Sequence, residues 1–449
     1  IEASSPDIHK ANMQLVSIYV KNKREAEAKS LLSSWKKQHP QNADPFIAEA
    51  GIATFKQQFV KAESLLKQAA KIDQSNISSL ALLANVQVKL NKPEEALKTL
   101  ETALAKQPGN RTILGRYLSL SSSSNSNDEA LRFLNKLSTQ QPDLKILQLA
   151  IAELHARKGN MTTALEITNK LSASIDDNAK LKPAIETIYG IGVQAAIKNN
   201  DMEQALKLAI EARESQPNSL KLGLLLASVK LKQGNLNSAL ETLRELKIAH
   251  SDSEIPYQFE GDFYSSTKEY ARAADSYTLA KAKKSSDKIN VKIYNSLKAA
   301  KKQTEALEHL KEWNKASPEN PRAMTLLALH YQSSNQKQKA IDLYEQLIAS
   351  NTNDVMSLNN LAWLYFETNN KAAESTAKKA FDLKPNSAAV ADTYGWILYK
   401  NNKVKESTIV LKKAYELAPK AEEIAMHLAE VYEAQGKTIE SNAIKSAFN

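Results

Sequence analysis

Residues 77–110, which read ISSLALLANVQVKLNKPEEALKTLETALAKQPGN, are the most informative stretch for the fold. It carries two small residues twelve positions apart, Ala84 and Ala96, and Pro108 another twelve positions on. Large apolar residues such as Leu80 lie around them. Small residues let two helices approach closely, and proline cannot continue a helix. The stretch therefore predicts a pair of antiparallel helices that cross at the alanines and end before Pro108.

The small residue at position 96 recurs along the whole chain. Successive copies are 34 residues apart at nine of twelve steps, 33 at two and 41 at one. The copies are Ala28, Ala62, Ala96, Ala130, Ala164, Ala205, Ala239, Ala273, Ala306, Ala340, Ala373, Ser407 and Ser441. Twelve residues before many of them stands another small residue, as at Ala50, Ala84, Ala227, Gly261, Ala328, Gly395 and Ala429. Twelve residues after many of them stands a proline, as at Pro40, Pro108, Pro142, Pro217, Pro318, Pro385 and Pro419.

This period resembles that of the tetratricopeptide-repeat (TPR) family, in which each 34-residue unit is a helix-turn-helix. The resemblance covers the whole chain. It implies an all-α superhelical solenoid of about thirteen repeats, because one unit cannot bury its apolar faces without neighbours. The units are expected to begin near residues 9, 43, 77, 111, 145, 186, 220, 254, 287, 321, 354, 388 and 422.

One step departs from the period. Seven extra residues fall between Ala164 and Ala205, around residues 172–183. They predict either a lengthened helix or loop with a local change in the superhelix path, or a tolerated surface insertion. The chain is therefore expected to comprise an N-terminal TPR array, residues 1–174, and a C-terminal TPR array, residues 175–449, continuous with it.

Composition and charge narrow the classes of partner. The formal net charge is +10, and the basic stretch from Lys281 to Lys302 is expected to be a solvated face, with anion binding as the alternative. No nucleic-acid-binding module accompanies it, so no nucleic acid partner is expected. No apolar run approaches the roughly 18 residues of a membrane span. A membrane is expected only through an anchor outside the covered chain.

The sequence offers no recognisable catalytic motif. It has no cysteine, no Gly-rich phosphate loop and no HExxH. Its histidines lack metal-ligand spacing; they are His9, His39, His155, His250, His309, His330 and His427. We expect a protein that is not an enzyme, with no catalytic residue, no metal site and no cofactor, and that acts through its surface.

The four tryptophans divide by their position in the repeat. Trp35 and Trp313 fall seven residues after the recurring alanine and are predicted core residues. Trp363 and Trp396 fall at the ninth position of the first helix in consecutive units, which in the TPR fold faces the concave groove, so we expect them side by side. With their neighbours they predict a partner-binding surface that combines aromatic rings and polar groups. Its residues are Asn359, Trp363, Phe366, Asp392, Trp396, Tyr399, His427 and Glu430.

An alternative interpretation is purely structural. In it, the two tryptophans pack against each other or against neighbouring first helices and stiffen the C-terminal end. Upstream groove positions are small or aliphatic and show nothing comparable, as at Ser17, Gly51, Asn85, Ser119 and Ser228. A chaperone-adaptor site that clamps a carboxylate is disfavoured, because Asp392 would repel one.

Two C-terminal stretches resemble a narrower family. Residues 357–365, SLNNLAWLY, and residues 385–399, PNSAAVADTYGWILY, are similar to the closing units of bacterial PEP-CTERM/exosortase-system TPR lipoproteins, which are associated with exopolysaccharide loci. The resemblance implies a periplasmic, lipid-anchored scaffold that organises exopolysaccharide assembly, export or protein sorting. Since the chain starts at Ile1 with no visible signal peptide, we expect the leader and anchor in a longer precursor.

Three hypotheses of function result. The first is a protein–protein interaction scaffold whose partners are envelope proteins of a polysaccharide or sorting system. The second is direct binding of a polysaccharide by the surface around Trp363 and Trp396. The third is a cytoplasmic TPR assembly adaptor, which a signal peptide ending before a cysteine in the precursor would exclude.

Overall fold

The computed structural model describes residues 6–22, 24–173 and 182–448. Within these ranges the chain forms 26 α-helices and no β-strand, and consecutive helices make thirteen helix-turn-helix pairs. The predicted all-α fold of repeated helix pairs is confirmed. By its internal contacts the chain divides into two compact units, Ile1–Ala249 and His250–Asn449.

The helices of the first unit are α1 (Pro6–Lys21), α2 (Glu25–Gln38), α3 (Asp44–Phe55), α4 (Phe59–Ile72), α5 (Ile77–Lys89), α6 (Pro93–Lys106), α7 (Arg111–Ser123), α8 (Asn127–Gln140), α9 (Lys145–Arg157), α10 (Met161–Ala173), α11 (Lys182–Lys198), α12 (Met202–Ser215), α13 (Leu220–Lys232) and α14 (Leu236–Ala249). Those of the second unit are α15 (Ile255–Ser266), α16 (Tyr270–Lys283), α17 (Asp287–Ala299), α18 (Gln303–Ala316), α19 (Pro321–Ser333), α20 (Lys337–Ser350), α21 (Val355–Glu367), α22 (Ala373–Leu383), α23 (Ala388–Lys400), α24 (Val404–Leu417), α25 (Glu422–Ala434) and α26 (Thr438–Ser446). Odd-numbered helices are the first of each pair, and each begins within about four residues of its predicted start.

Local sequence chemistry fixes the ends of many helices. Asn76, Asn110 and Asp354 cap α5, α7 and α21, because each side chain accepts a hydrogen bond from the backbone N–H three residues on. The turn inside a pair places one residue in the left-handed region, with φ of 59° at Asn91 and 55° at Asn369. Asparagine tolerates that conformation better than most residues. The turns therefore recur with the same period as the small residues.

The recurring small residues are the points where the two helices of a pair cross. All thirteen, from Ala28 to Ser441, are buried. Gly395 shows the physical reason. A Cβ there would lie 2.7 Å from Cγ of Leu411 and 3.2 Å from its backbone N. The carbonyl of Gly395 also accepts a hydrogen bond of 2.7 Å from Oγ of Ser407. The two helices are thus in contact through backbone and short side chains.

Large side chains fill the space between these crossing points. Trp35 and Trp313 are 1% and 4% exposed, which confirms the prediction that both belong to the core. Trp35 also donates from Nε1 to Nδ1 of His9, at 3.0 Å, and so ties α2 to α1. None of the helices described above is both long enough and apolar enough to cross a bilayer.

The predicted insertion falls mostly on residues 174–181, which lie outside the described residues. The helix that follows, α11, has 17 residues and is the longest of the described helices. The division at residue 174 stays a prediction. The two compact units meet in sequence at Ala249 and His250.

Candidate protein-binding surfaces

The eight residues predicted to bind a partner lie on three first helices of the second unit, α21, α23 and α25. Helix α23 contacts both α21 and α25, so the three form one continuous face. We call these eight residues the C-terminal aromatic surface. The structure separates them into residues that hold the helices together and residues that remain accessible.

Trp396 is packed between repeats. It is only 9% exposed, and its ring stacks on the imidazole of His427 with the ring centres 3.9 Å apart and the planes at 20°. Lys400 lies on α23, as Trp396 does, and its Nζ is 4.1 Å from the centre of the Trp396 ring. A cation over an aromatic face is a stabilising contact. Trp396 therefore serves mainly to join α23 to α25.

Asp392 and His427 form a second link between the same two helices. Nδ1 of His427 lies 2.9 Å and 3.0 Å from the two carboxylate oxygens of Asp392, and the side chains are 13% and 10% exposed. An ionised carboxylate can only accept hydrogen bonds, so Nδ1 of His427 is the donor in this pair. Because the two side chains satisfy each other away from water, this pair is a structural contact between repeats.

Trp363, Phe366 and Asn359 make up the accessible part on α21. Trp363 and Phe366 are half-buried, and their ring centres are 5.7 Å apart. Asn359 lies one helical turn before Trp363, on the same face. Its Oδ1 is buried yet has no hydrogen-bond partner among the described residues. An unpaired buried oxygen is unfavourable, so Asn359 gains a hydrogen bond if its side chain turns outward toward a bound molecule.

Tyr399 and Glu430 lie at the edge of the packed group. Tyr399 is half-buried, with its ring centre 5.5 Å from that of Trp396. Glu430 is exposed and pairs with Lys400, whose Nζ lies 2.8 Å from Oε1. Sequence reasoning missed Lys400, which contacts Trp396, Tyr399 and Glu430 at once. The rings thus fall into two sets, Trp363 with Phe366, and Trp396 with Tyr399 and His427.

A second surface lies in the first unit, at upstream groove positions where the sequence showed nothing comparable. Helices α1, α3 and α5 border a cavity of 660 Å³, and α3, α4 and α5 border another of 610 Å³. Gly51, Phe55 and Leu82 line both. We call the two cavities together the N-terminal apolar groove. Met13, Val20 and Val88 are among its other lining residues.

The groove exists because Gly51 has no side chain. A Cβ added there would meet no atom within 4 Å, in contrast to the tight crossing at Gly395. Phe55, one turn further along α3, is 78% exposed, and Leu82 is 39% exposed. The available sequence signal was Gly51 one turn from both Ile47 and Phe55, which marks a gap between large apolar residues on one helix face but does not show whether neighbouring side chains fill it.

Other charged and titratable groups have structural roles. Five of the eight lysines from Lys281 to Lys302 are exposed and the other three are half-buried. Lys292 pairs with Asp262, and Nζ of Lys302 lies 3.0 Å from Glu305. This agrees with the predicted solvated face. Among the described residues, no group of three or more histidine or acidic side chains is arranged to hold a metal ion.

The helix pairs and their crossing points define a helical repeat protein. Family models for the tetratricopeptide repeat match residues 56–114, 196–258 and 323–355, so these stretches are TPR repeats. TPR repeats in general are non-catalytic surfaces that bind other proteins, so these stretches suggest an interaction scaffold. No curated protein sequence matches the chain significantly.

Solved structures resemble the chain at low identity. The complex of Naa15/Naa10 bound to HypK-THB contains a chain 18% identical, with 97% of this chain and 67% of that one covered and a TM-score of 0.37. The APC/C hetero-tetramer Cut9-Hcn1 contains one at 15% identity, with 96% and 86% covered and a TM-score of 0.36. MamA from Desulfovibrio magneticus RS-1 is 15% identical, with 36% and 92% covered and a TM-score of 0.33.

Proposed function

We propose that this protein is a non-enzymatic scaffold that binds a segment of a partner protein on the accessible part of the C-terminal aromatic surface. One observation carries the proposal. The buried Oδ1 of Asn359 lacks a hydrogen-bond partner among the described residues and lies one turn from the half-buried ring of Trp363. An apolar surface beside an unsatisfied acceptor fits a peptide, which supplies both apolar side chains and N–H donors.

Each accessible residue has a defined part in this binding. The rings of Trp363 and Phe366 provide flat apolar area that loses little conformational entropy on contact. The side chain of Asn359 turns outward on binding, and its Oδ1 then accepts a hydrogen bond from the partner, which fixes the orientation of the segment. Trp396, Asp392 and His427 do not touch the partner; they hold α23 and α25 together.

We further propose that the partners are envelope proteins of an exopolysaccharide assembly, export or PEP-CTERM sorting system. The likeness of residues 357–365 and 385–399 to the closing units of TPR lipoproteins from such systems supports this. In that setting the protein is periplasmic and lipid-anchored. Protease accessibility of the full-length protein in intact and permeabilised spheroplasts distinguishes a periplasmic scaffold from a cytoplasmic adaptor.

The binding proposal is tested with a photo-crosslinking amino acid placed at position 366 and, as a matched control, at position 409. Ile409 is 72% exposed on α24, a second helix of its pair, and lies outside the proposed surface. We expect crosslinking in cells to capture a protein of the polysaccharide or sorting system from position 366 and not from position 409. The added change Trp363→Ala should abolish that capture.

Capture of the same proteins from both positions, or of none from position 366, would contradict the binding surface. If position 366 yields polysaccharide in place of protein, the glycan-binding alternative replaces the scaffold at this site. Affinity electrophoresis of the wild type and Trp363→Ala in gels with and without the exopolysaccharide separates these two results.

A further inference from the structure

The N-terminal apolar groove is open and apolar, and the charged residues that line it are all basic. Lys21 lines one cavity and Lys89 the other, and no acidic residue lines either. Helix α5 carries Lys89 and no acidic residue, and the next first helix, α7, carries Arg111 and Arg116 and none either. The groove therefore offers apolar contact inside a positive field.

The carboxylate of Glu49 on α3, the central helix of the groove, faces lysines outside the groove. Glu49 pairs with Lys36 and with Nζ of Lys61, the latter at 2.7 Å, and lines a separate polar cavity with both lysines. Burial of Glu49 is unfavourable to its charged form, but hydrogen bonds from the two lysines outweigh that and hold its pKa below the usual value. Glu49 is thus ionised and neutralised, and it does not offset Lys21 and Lys89.

From these observations we propose that the N-terminal apolar groove binds an acidic peptide segment of another protein, with two bulky apolar side chains that enter the two cavities. The first cavity is lined mainly by α1 and α3 and the second mainly by α3 and α5, with Gly51 and Phe55 shared. Because neighbouring helices pack about 8–10 Å apart, we take this as the separation of the two cavities. Side chains three residues apart in a polyproline II segment, or seven apart in a helix, lie on one face at about this separation. Acidic residues beside them face Lys21 and Lys89.

This site is distinct from the C-terminal aromatic surface, which belongs to the second compact unit and to the proposed function above. The two sites differ in chemistry as well. The C-terminal aromatic surface has half-buried rings beside an unpaired acceptor, whereas the N-terminal groove has cavities and cations. A scaffold with both sites can bind two different segments, and a substitution at one site can abolish binding there without affecting the other site.

The test uses displayed peptide libraries with two bulky apolar residues spaced by three or by seven positions and with flanks that are either acidic or basic. The bait is the whole chain, and the best acidic peptide is then measured by fluorescence polarisation. The blocking variant is Gly51→Leu, which fills the groove. Its matched control is Gly190→Leu, at another helical glycine whose added Cβ would meet nothing within 4 Å. Circular dichroism verifies that both variants remain helical.

We expect enrichment of acidic-flanked peptides, a loss of affinity of about tenfold or more in Gly51→Leu, and no change in Gly190→Leu. Lys89→Glu should weaken binding by about threefold to tenfold and reduce its salt dependence, while the control Lys98→Glu on α6 should not. Phe55→Ala should also weaken binding, because it removes the most exposed ring of the groove.

Several results would overturn the proposal. They are enrichment of basic-flanked peptides, absence of any enriched peptide, or binding that Gly51→Leu leaves intact. Two other occupants are measured directly. Concentration-dependent self-association in light scattering that Gly51→Leu abolishes would assign the groove to a second copy of this chain. Binding to phosphatidylglycerol vesicles that Phe55→Ala abolishes would assign it to a membrane surface.

Discussion

The C-terminal aromatic surface and the N-terminal apolar groove occupy equivalent positions in the repeat, yet they differ in what is left open. At the C-terminal surface a tryptophan at the groove position is covered by the next first helix, where His427 stacks on Trp396. In the N-terminal groove a glycine at the groove position leaves cavities beside an exposed phenylalanine. In a repeat array, a large groove residue can therefore serve packing, and a small one can make room for a partner.

Removing one ring from each surface should have the largest difference in effect. Trp396→Ala should destabilise the second unit by about 3–5 kcal/mol, because it leaves a cavity between α23 and α25. Phe55→Ala should change stability by no more than about 0.5 kcal/mol, because that ring is mostly in water. Urea unfolding followed by circular dichroism measures both, and hydrogen exchange localises the change. Equal effects of the two substitutions would refute the distinction.

A second prediction compares two glycines on first helices. Gly395→Ala should destabilise by about 1–3 kcal/mol, because the new methyl group would overlap Leu411. Gly51→Ala should stabilise by about 0.5–1 kcal/mol, because alanine is the better helix former and its Cβ meets open space. The shift in thermal midpoint should have opposite sign in the two variants. A loss of stability in Gly51→Ala would mean that the groove is closed in solution.

The third prediction concerns pH and has the smallest effect. His309 and His330 are buried, and burial, helped by Lys281 and Lys298 respectively, lowers the pKa of each. A histidine in the unfolded chain has a pKa of about 6.5, so as the pH falls the unfolded chain binds these protons before the folded chain does. The two neutral histidines therefore contribute their full stabilisation to the folded state above that pH. This contribution is lost as the pH falls toward their lower native pKa values.

Hydrogen exchange, corrected for its intrinsic pH dependence, should therefore show less protection in α17–α19 at about pH 5.5 than at about pH 7.5. Helices α3–α6 contain no histidine and should change less. His309→Gln should reduce the loss in α17–α19. A uniform loss of protection along the chain, unchanged in this variant, would contradict the prediction.

The fold could be predicted from the sequence because it depends on spacing. The small residue at the crossing point and the proline between pairs recur with the repeat, and every first helix begins close to its expected residue. Helix α11 is an informative exception: its predicted start was residue 186, whereas it begins at Lys182. The insertion changes the length of the segment before it, which a fixed period cannot specify.

The sites were less predictable because they depend on pairs of side chains from different repeats. Position in the repeat placed Asp392, Trp396 and His427 on one face, but it could not show that His427 stacks on the ring and donates to the carboxylate. Nor could it show the cavity at Gly51, since a missing side chain becomes an opening only when Phe55 and its neighbours leave the space unfilled.

Hydroxyl-radical labelling of the wild-type protein, read by mass spectrometry at single residues, tests this central difference most directly. Tryptophan is intrinsically more reactive than phenylalanine, so chemistry alone favours labelling of Trp396. We predict the reverse order, with Phe55 labelled faster than Trp396 and Trp363 labelled faster than Trp396. Labelling of Trp396 as fast as Trp363, with Phe55 protected, would contradict the assignment of one surface as packed and the other as open.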